Sequence, residues 1–278
     1  PSLAAGDHFA YMMTVMSAGI GSHLKTRSLN DKVRHGLIQH QGKLPYYRAL
    51  VGAIGANLQN GRGGAATVHY TATDPEVETI AKAKNPMTPT AKQVRGLDYS
   101  FGSNKFFARK VAKNETIGLI SYKSAPEVYT AQYSKDQSLF EKLYNKAVKE
   151  GRINTFVPAR DIALHALTEA EETGRHYLHF TDEMNSHTPF KDTIWSSNLC
   201  QEIAIVSSPY KSVEELYQPY EEGNGEIGLC SLGGAIVSNI KTDAQYADVA
   251  YYGLKMIDVC IHKSDYVFKN LEDTAKAR

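Results

Sequence analysis

Apolar and polar positions alternate along this chain with two different periods, and together they divide it into helices and short strands. The stretch "PYYRALVGAIGANLQNG" (Pro45 to Gly61) has helical spacing. A proline stands at its start and a glycine at its end, as helix termini favour. The glycine turn "GRGGAAT" then leads into the β-rich run "VHYTAT". "DPEVETIAKAKN" (Asp74 to Asn85) predicts a second helix, with Asp74 at the N-cap, Pro75 at the first helical position and acids in the first turn. "DQSLFEKLYNKAVKEG" (Asp136 to Gly151) offers Leu139, Phe140, Leu143 and Val148 for one apolar stripe. "ARDIALHALTEAEETG" (Ala159 to Gly174) closes on a C-terminal glycine. "RHYLHFTDE" alternates like a strand, "EIGLCSLGGAIVS" reads as another, and "TDAQYADVAYYGLKMIDVCIHK" ends the pattern as a helix. In that last helix Cys260 falls in step with Val249, Gly253 and Met256, which predicts a buried stripe. Helices alternating with short apolar strands predict an α/β fold with largely parallel pairing.

Composition narrows the class. The chain has 278 residues, of which 42% are hydrophobic and 22% charged, ordinary values for a globular protein with a sizeable core. A net charge of +1 gives no global field to draw it onto nucleic acid or a membrane. No run of eighteen apolar residues is present, and the N-terminal segment lacks the basic start of a signal peptide. Three cysteines, an odd and low count, fit a reducing compartment such as the cytoplasm. A chain that opens with Pro1 rather than Met is expected to be a processed product, a trimmed piece or a fragment.

Most short motifs carry little. The cysteines are far apart and form no C-x-x-C pair, so a zinc site built on them is not expected. His176 and His179, three apart in a strand, would face opposite sides and make poor joint ligands. "GRGGAAT" matches neither a P-loop nor G-x-G-x-x-G, and Gly63 and Gly64 read as a tight turn. "SSNLCQEI" is different. In an extended segment Asn198, Cys200 and Glu202 would share one face, setting a thiol between an amide and a possible base. The alternative is a buried structural cysteine at a strand end.

The remaining strings resemble one family in order. "SSNLCQEI" followed by "NGEIGLCSL" resembles the active-site region of the ribonucleotide reductase large subunit. "SAGIG" (Ser17 to Gly21) resembles its substrate-contacting glycine turn, and "GRGGAATVHYTATDPEVETI" its R-G-G-A-A-T block. "KNPMTPTAKQVRGLDYSFGSNKFF" is similar to the mobile loop between effector and substrate, and "ETGRHYLHFTDEMNSHTPF" to the T-G-R-x-Y…N-x-H-x-P-F segment. The resemblance covers nearly the whole chain and implies part of a ten-stranded α/β barrel, with residues 1–278 forming one partial catalytic domain. A finger loop would enter the barrel with the radical cysteine at its tip. Cys200 would be that cysteine, abstracting the ribose 3′ hydrogen as a thiyl radical. Glu202 would take the 3′-hydroxyl proton, and Asn198 would bind the substrate hydroxyls and hold Glu202. Cys230 would be half of the redox pair that reduces the 2′ carbon. Ala18, Gly19 and Leu199 would complete the substrate contacts, and Asp7 and Arg95 are candidates for effector contacts. The plain alternatives for those two are a solvated N-cap for Asp7 and an exposed arginine for Arg95.

The chemistry is self-consistent. A thiyl radical needs a dry cavity, and removing the 3′-hydroxyl proton needs a carboxylate within hydrogen-bond reach. A dithiol delivers two electrons by closing to a disulfide. That scheme takes three thiols, of which this chain would supply two; the partner of Cys230 is expected upstream of Gly6–Asp7. The segment after Asp7 is about nine residues shorter than the family pattern leads one to expect. The resemblance further implies ribonucleoside diphosphates as substrates, ATP or dNTP effectors and a separate metal-bearing small subunit as the radical source. It also implies the missing flanking parts of the large subunit, a thioredoxin- or glutaredoxin-type reductant and a homodimer of the full subunit. No covalent cofactor, bound metal, nucleic acid or membrane is expected. Alternatives are a fragment of the cobalamin-dependent class and a non-catalytic nucleotide-binding or assembly remnant of the same barrel.

Overall fold

The computed structural model describes residues 2–57, 61 and 63–277. The chain divides into two compact units, one of residues 10–206 and one of residues 1–9 with 207–278. The first helix, α1 (Ser2–Val15), runs through that division. The sequence pattern had not assigned it, and it places Asp7 inside a helix rather than at an N-cap.

The larger unit is built on a parallel sheet. In chain order it contains β1 (Ile20–His23), β2 (Lys32–Val33), β3 (Ile38–Gln39), α2 (Leu44–Gly55), β4 (Ala66–Thr71), α3 (Val77–Ala81), β5 (Asp98–Ser103) and α4 (Lys105–Ala112). These are followed by β6 (Thr116–Gly118), α5 (Pro126–Ala131), α6 (Gln137–Lys149), β7 (Phe156–Pro158), α7 (Ala159–Thr173), β8 (His176–Phe180) and α8 (Thr181–Ser186). Four strands pair in the order β1-β4-β5-β8, every neighbour parallel, while β2–β3 and β6–β7 form separate antiparallel ribbons. Parallel neighbours need long crossovers, and the intervening helices supply them. The inner strands are covered on both faces: all of β4 is buried, and β5 is buried up to its last residue. Helix-covered parallel sheets read this way.

Alternation along the strands sorts their side chains. Val68, Tyr99 and His176 are register partners in one row, with Tyr70 and Phe101 on the same face. There Tyr99 packs edge-on against Tyr47 of α2, and Phe101 against Phe107 of α4. His23, His69, Ser100 and Tyr177 are register partners in a row on the opposite face. Thr67 and His179 lie on that face as well, because side chains two apart on a strand share a side. The opposite facing of His176 and His179 is as the spacing required.

Local sequence explains several boundaries. Asp136 caps α6 by accepting from Ser138 N and Leu139 N, and Asn104 caps α4 by accepting from Phe107 N. Gly174 ends α7 in the left-handed conformation at φ 62. Helix α2 stops at Gly55; of the longer expectation to Gly61, residues 58–60 lie outside the described residues, as does Arg62 of "GRGGAAT". The Asp74 helix is short and continues as a 3-10 turn to Lys84. Asp74 accepts from Glu76 N and forms a fully buried ion pair with Lys43. The apolar face of α6 is Phe140, Tyr144 and Ala147; Leu139, expected in the stripe, is exposed.

The smaller unit gathers around Phe268. Phe9 stacks on it at 5.5 Å between centroids, and Tyr217 meets it edge-on. Tyr210 Oη donates to Asn270 Oδ1 at 2.7 Å. Helices α9 (Asp243–Lys263) and α10 (Lys269–Ala277) close this unit. Two expectations fail here. "EIGLCSLGGAIVS" is not a strand: its one ladder contact is the bridge of Glu226 to Ser208, and the rest is irregular with a short 3-10 turn. α9 has the expected helical form but no buried residue among those described, and Cys260, Val249 and Met256 are exposed. A helical stripe is buried only if an element lies against it, and helical spacing cannot show whether one does.

Candidate functional site

The site candidates converge on a turn laid over the polar face of the sheet. Asn198, Leu199, Cys200 and Gln201 form a β-turn closed by Gln201 N donating to Asn198 O at 3.3 Å. Gln201 takes φ 65, a left-handed conformation rare outside glycine. The base of the turn is tied by Ile203 N donating to Asn198 Oδ1 at 3.2 Å and by Ser197 Oγ donating to Ile203 O. The extended form expected for "SSNLCQEI" is therefore corrected. The segment has no ladder partner, so it folds back on itself, and the strict alternation of Asn198, Cys200 and Glu202 over one face does not hold.

The sheet holds this turn from below. Thr67 Oγ1 donates to Leu199 O at 2.6 Å, and Ser197 N donates to His69 Nε2 at 3.2 Å. Gln201 contacts β5 and β8 through Ser100 Oγ and Leu178 O, at 2.7 and 2.9 Å. On β1 two glycines make room. A Cβ on Gly21 would lie 2.8 Å from Asn198 Cα and closer still to Ser197 O. A Cβ on Gly19 would lie 3.1 Å from Leu199 Cβ. Gly21 thus lets the turn backbone approach the strand backbone, and Gly19 makes room for the Leu199 side chain.

Of the expected substrate contacts, the structure brings Gly19, Asn198, Leu199 and Cys200 together. Ala18, beside Gly19, is tied back to α1 through Met13 O. Cys200 and Glu202 are exposed. The dry cavity expected around the thiol is not formed by the described residues. The turn lies on one face of a four-stranded sheet whose edge strands β1 and β8 have one neighbour each among the described residues. The Tyr177 hydroxyl pKa is raised by burial first, with Asp98, Cys200 and Glu202 adding to it. Arg95 is exposed before β5, with its carbonyl accepting from Lys84 Nζ. Cys230, half-buried, and Asp7, whose carboxyl is raised by burial, belong to the smaller unit.

Electrostatically, the polar face is a bed of neutral histidines. Burial lowers His23 to about 3 and His69 to about 4, and it holds His179 well below the usual value. Lys43 and His69 add to the lowering at His23, and His69 and His23 to that at His179. The sequence reading missed Thr67, His69, Ser100 and His179 as site residues. A signal was present: polar Thr67 and His69 alternate with apolar Val68 and Tyr70 inside a strand that follows a glycine turn. Among the described residues no group of three or more His, Cys, Asp or Glu is placed to hold a metal ion. No helix among them is long and apolar enough to cross a membrane.

The family model for the ribonucleotide reductase barrel domain matches residues 5–278, across both units. The chain belongs to the ribonucleotide reductase barrel family. It is 31% identical over 255 residues to the ribonucleoside-diphosphate reductase subunit alpha of Buchnera aphidicola (strain APS), covering 90% of this chain and 32% of that protein. It is 31% identical over 270 residues to the subunit alpha of enterobacteria phage T4, covering 94% of this chain and 34% of the phage protein. Against ribonucleoside-diphosphate reductase 1 subunit alpha of Escherichia coli K12 it is 36% identical over 198 residues, covering 69% and 26%. The chain thus spans about a third or less of the length of these relatives. Family membership accounts for the parallel α/β sheet as part of the barrel.

Proposed function

We propose that this chain is a catalytic portion of a ribonucleoside-diphosphate reductase alpha subunit, reducing ribonucleoside diphosphates to deoxyribonucleotides by a thiyl-radical mechanism. The observation that carries the reading is the seated turn: Asn198, Cys200 and Glu202 stand on a compact loop clamped to one face of a parallel sheet of this family. Residues 1–278 belong to one catalytic domain. Cys200 abstracts the 3′ hydrogen, Glu202 accepts the 3′-hydroxyl proton, and Asn198 binds the substrate hydroxyls. Cys230 is one of the two reducing thiols. Ala18, Gly19 and Leu199 contact substrate; Asp7 and Arg95 serve the effector.

An exposed thiol agrees with this role if further polypeptide completes the wall. The chain is about a third of its relatives' length, and its sheet holds four strands. A finger enclosed by a full barrel would gain the dryness that a sulfur radical needs. The relatives carry the name subunit alpha, and a small subunit with a metal centre supplies the radical here. ATP or dNTP effectors, a thioredoxin- or glutaredoxin-type reductant and the cytoplasm complete the setting.

The test is an assembly of this chain with the flanking alpha-subunit polypeptide and a small subunit, with deoxyribonucleotide formation as the readout. Reduction dependent on the small subunit supports the proposal. Reduction that needs adenosylcobalamin instead moves the chain to the cobalamin-dependent class. Nucleotide binding without any reduction, with either radical source, refutes the catalytic reading.

A further inference from the structure

Gln201 stands between the proposed radical thiol and the proposed base, and its side chain reaches down to β5 and β8. Its side chain is directed by its partners. Leu178 O can only accept, so the Gln201 atom 2.9 Å from it is the amide nitrogen. The amide oxygen therefore faces Ser100 Oγ at 2.7 Å and accepts its one hydroxyl hydrogen. With that hydrogen committed, Ser100 Oγ can only accept from His179 Nδ1, 2.8 Å away. His179 must then carry its proton on Nδ1, which leaves Nε2 as a lone pair. That atom is buried without a hydrogen-bond partner. Gly102, its register neighbour, gives the ring its room: a Cβ there would lie 2.8 Å from Nε2.

A second arm has the same sense. Ser197 N donates to His69 Nε2, so His69 also carries its proton on Nδ1, directed at Ser22 O 3.3 Å away. His23 continues the row, its Nδ1 facing His69 O at 3.2 Å and its Nε2 facing Tyr129 Oη at 3.0 Å. A proton added to His69 Nε2 would oppose the Ser197 N–H and break the arm.

We propose that Gln201, Ser100, His179 and His69 are positioning residues for the reaction: two hydrogen-bonded arms of fixed direction clamp the 197–203 turn to strands β4, β5 and β8, and so set where Cys200 and Glu202 point. The left-handed backbone at Gln201 fits this account. Such a conformation is disfavoured in a non-glycine residue and persists where its surroundings hold it. Here the holding groups are the two side-chain bonds of the strained residue itself. The clamp acts on geometry alone, because neither histidine nor Gln201 exchanges a proton with substrate. A misplacement of about 1 Å at a reacting group can lower a rate on the order of a hundredfold.

This inference rests on the proposed function, and the experiment separates the two. In the 278-residue chain, long-range proton–nitrogen NMR spectra of the imidazoles report which nitrogen is protonated. The expected result is a single Nδ1–H form for both His69 and His179. In Gln201→Leu the Ser100 hydroxyl is released and can donate to His179 Nδ1, so His179 loses its single form while His69 keeps it. In the assembled reductase, Gln201→Leu lowers kcat about a hundredfold with KM nearly unchanged. His179→Leu does the same, and His179→Asn, whose amide nitrogen takes the Nδ1 place, restores most of the rate. An Nε2–H form of His179 in the unaltered chain overturns the clamp, as does a Gln201→Leu reductase within twofold of the unaltered one. An assembly inactive even without substitution refutes the proposed function, and the clamp is then decided by the NMR spectra.

Discussion

Replacing Gly21 by alanine tests whether the close approach of β1 to the turn matters. Gly21 has no side chain, and the backbone of Ser197 and Asn198 occupies the space that a methyl group would need. The added Cβ would lie 2.8 Å from Asn198 Cα and nearer still to Ser197 O. Ordinary carbon contacts begin near 3.5 Å, so the turn or the strand must retreat by about 1 Å. The strand is held by its parallel pairing, with Gly21 opposite Thr67, and Thr67 itself grips Leu199 O. The turn has no ladder partner and is held to the sheet by side-chain hydrogen bonds, so it yields before the strand does and strains those bonds. Overpacking of this kind costs about 1–3 kcal/mol, and the displaced thiol lowers turnover about a hundredfold. The assays are urea unfolding of the chain and nucleoside diphosphate reduction by the assembled complex. Gly52→Ala is the control: nothing lies within 4 Å of its new methyl, and alanine favours the α2 helix by about 0.8–1 kcal/mol. Gly21→Ala with an unchanged unfolding midpoint and a rate within twofold of the unaltered complex would refute the reasoning.

Further outcomes follow from the same structure. If Glu202 is the proposed proton acceptor, Glu202→Gln slows turnover while leaving substrate binding nearly intact, since such a carboxylate acts in the transition state; equal loss of both, measured by kcat and Kd, contradicts this. Cys230→Ser blocks repeated turnover with dithiol reductants, and steady-state reduction at the normal rate would refute its redox role. Lys43→Met leaves Asp74 buried without its cation and costs about 3–5 kcal/mol in thermal unfolding, whereas a loss under about 1 kcal/mol would mean the pair is not isolated from water. His23 at about 3 and His69 at about 4 lie below the ordinary 6.5, so between pH 6.5 and 4 the unfolded chain binds more protons than the folded one. Stability therefore falls as the pH drops through that window, by up to about 1.4 kcal/mol per pH unit for each ring, and these rings contribute no pH dependence above it. Equal urea midpoints at about pH 7 and about pH 5 would contradict the burial of these rings.

The parallel sheet and the long helices were legible because they repeat. β4, β8, α6 and α7 carry periods of two or 3.6 residues, with glycine, proline or aspartate at their ends. The turn was misread because N-L-C-Q-E-I alternates well enough to suit a strand, and alternation cannot say whether a ladder partner exists. Gln201 holds a left-handed backbone through Ser100 and Leu178, which lie 101 and 23 residues away in sequence. The row His23, His69, Ser100, Tyr177 could not be read either, because it exists only once four distant strands are in register. α9 shows the converse: a correct period with no covering element among the described residues, so Cys260 is exposed. The family resemblance placed Cys200, Glu202 and Asn198 on one loop, and the parallel sheet beneath them is what turns that loop into a candidate site.

The central claim is that Cys200 carries out the hydrogen abstraction. The most direct measurement is deoxyribonucleotide formation by assembled reductase carrying Cys200→Ser, beside Cys260→Ser as the exposed-thiol control. The account predicts no product from the first and an unaltered rate from the second; product formed by the Cys200→Ser enzyme would contradict it.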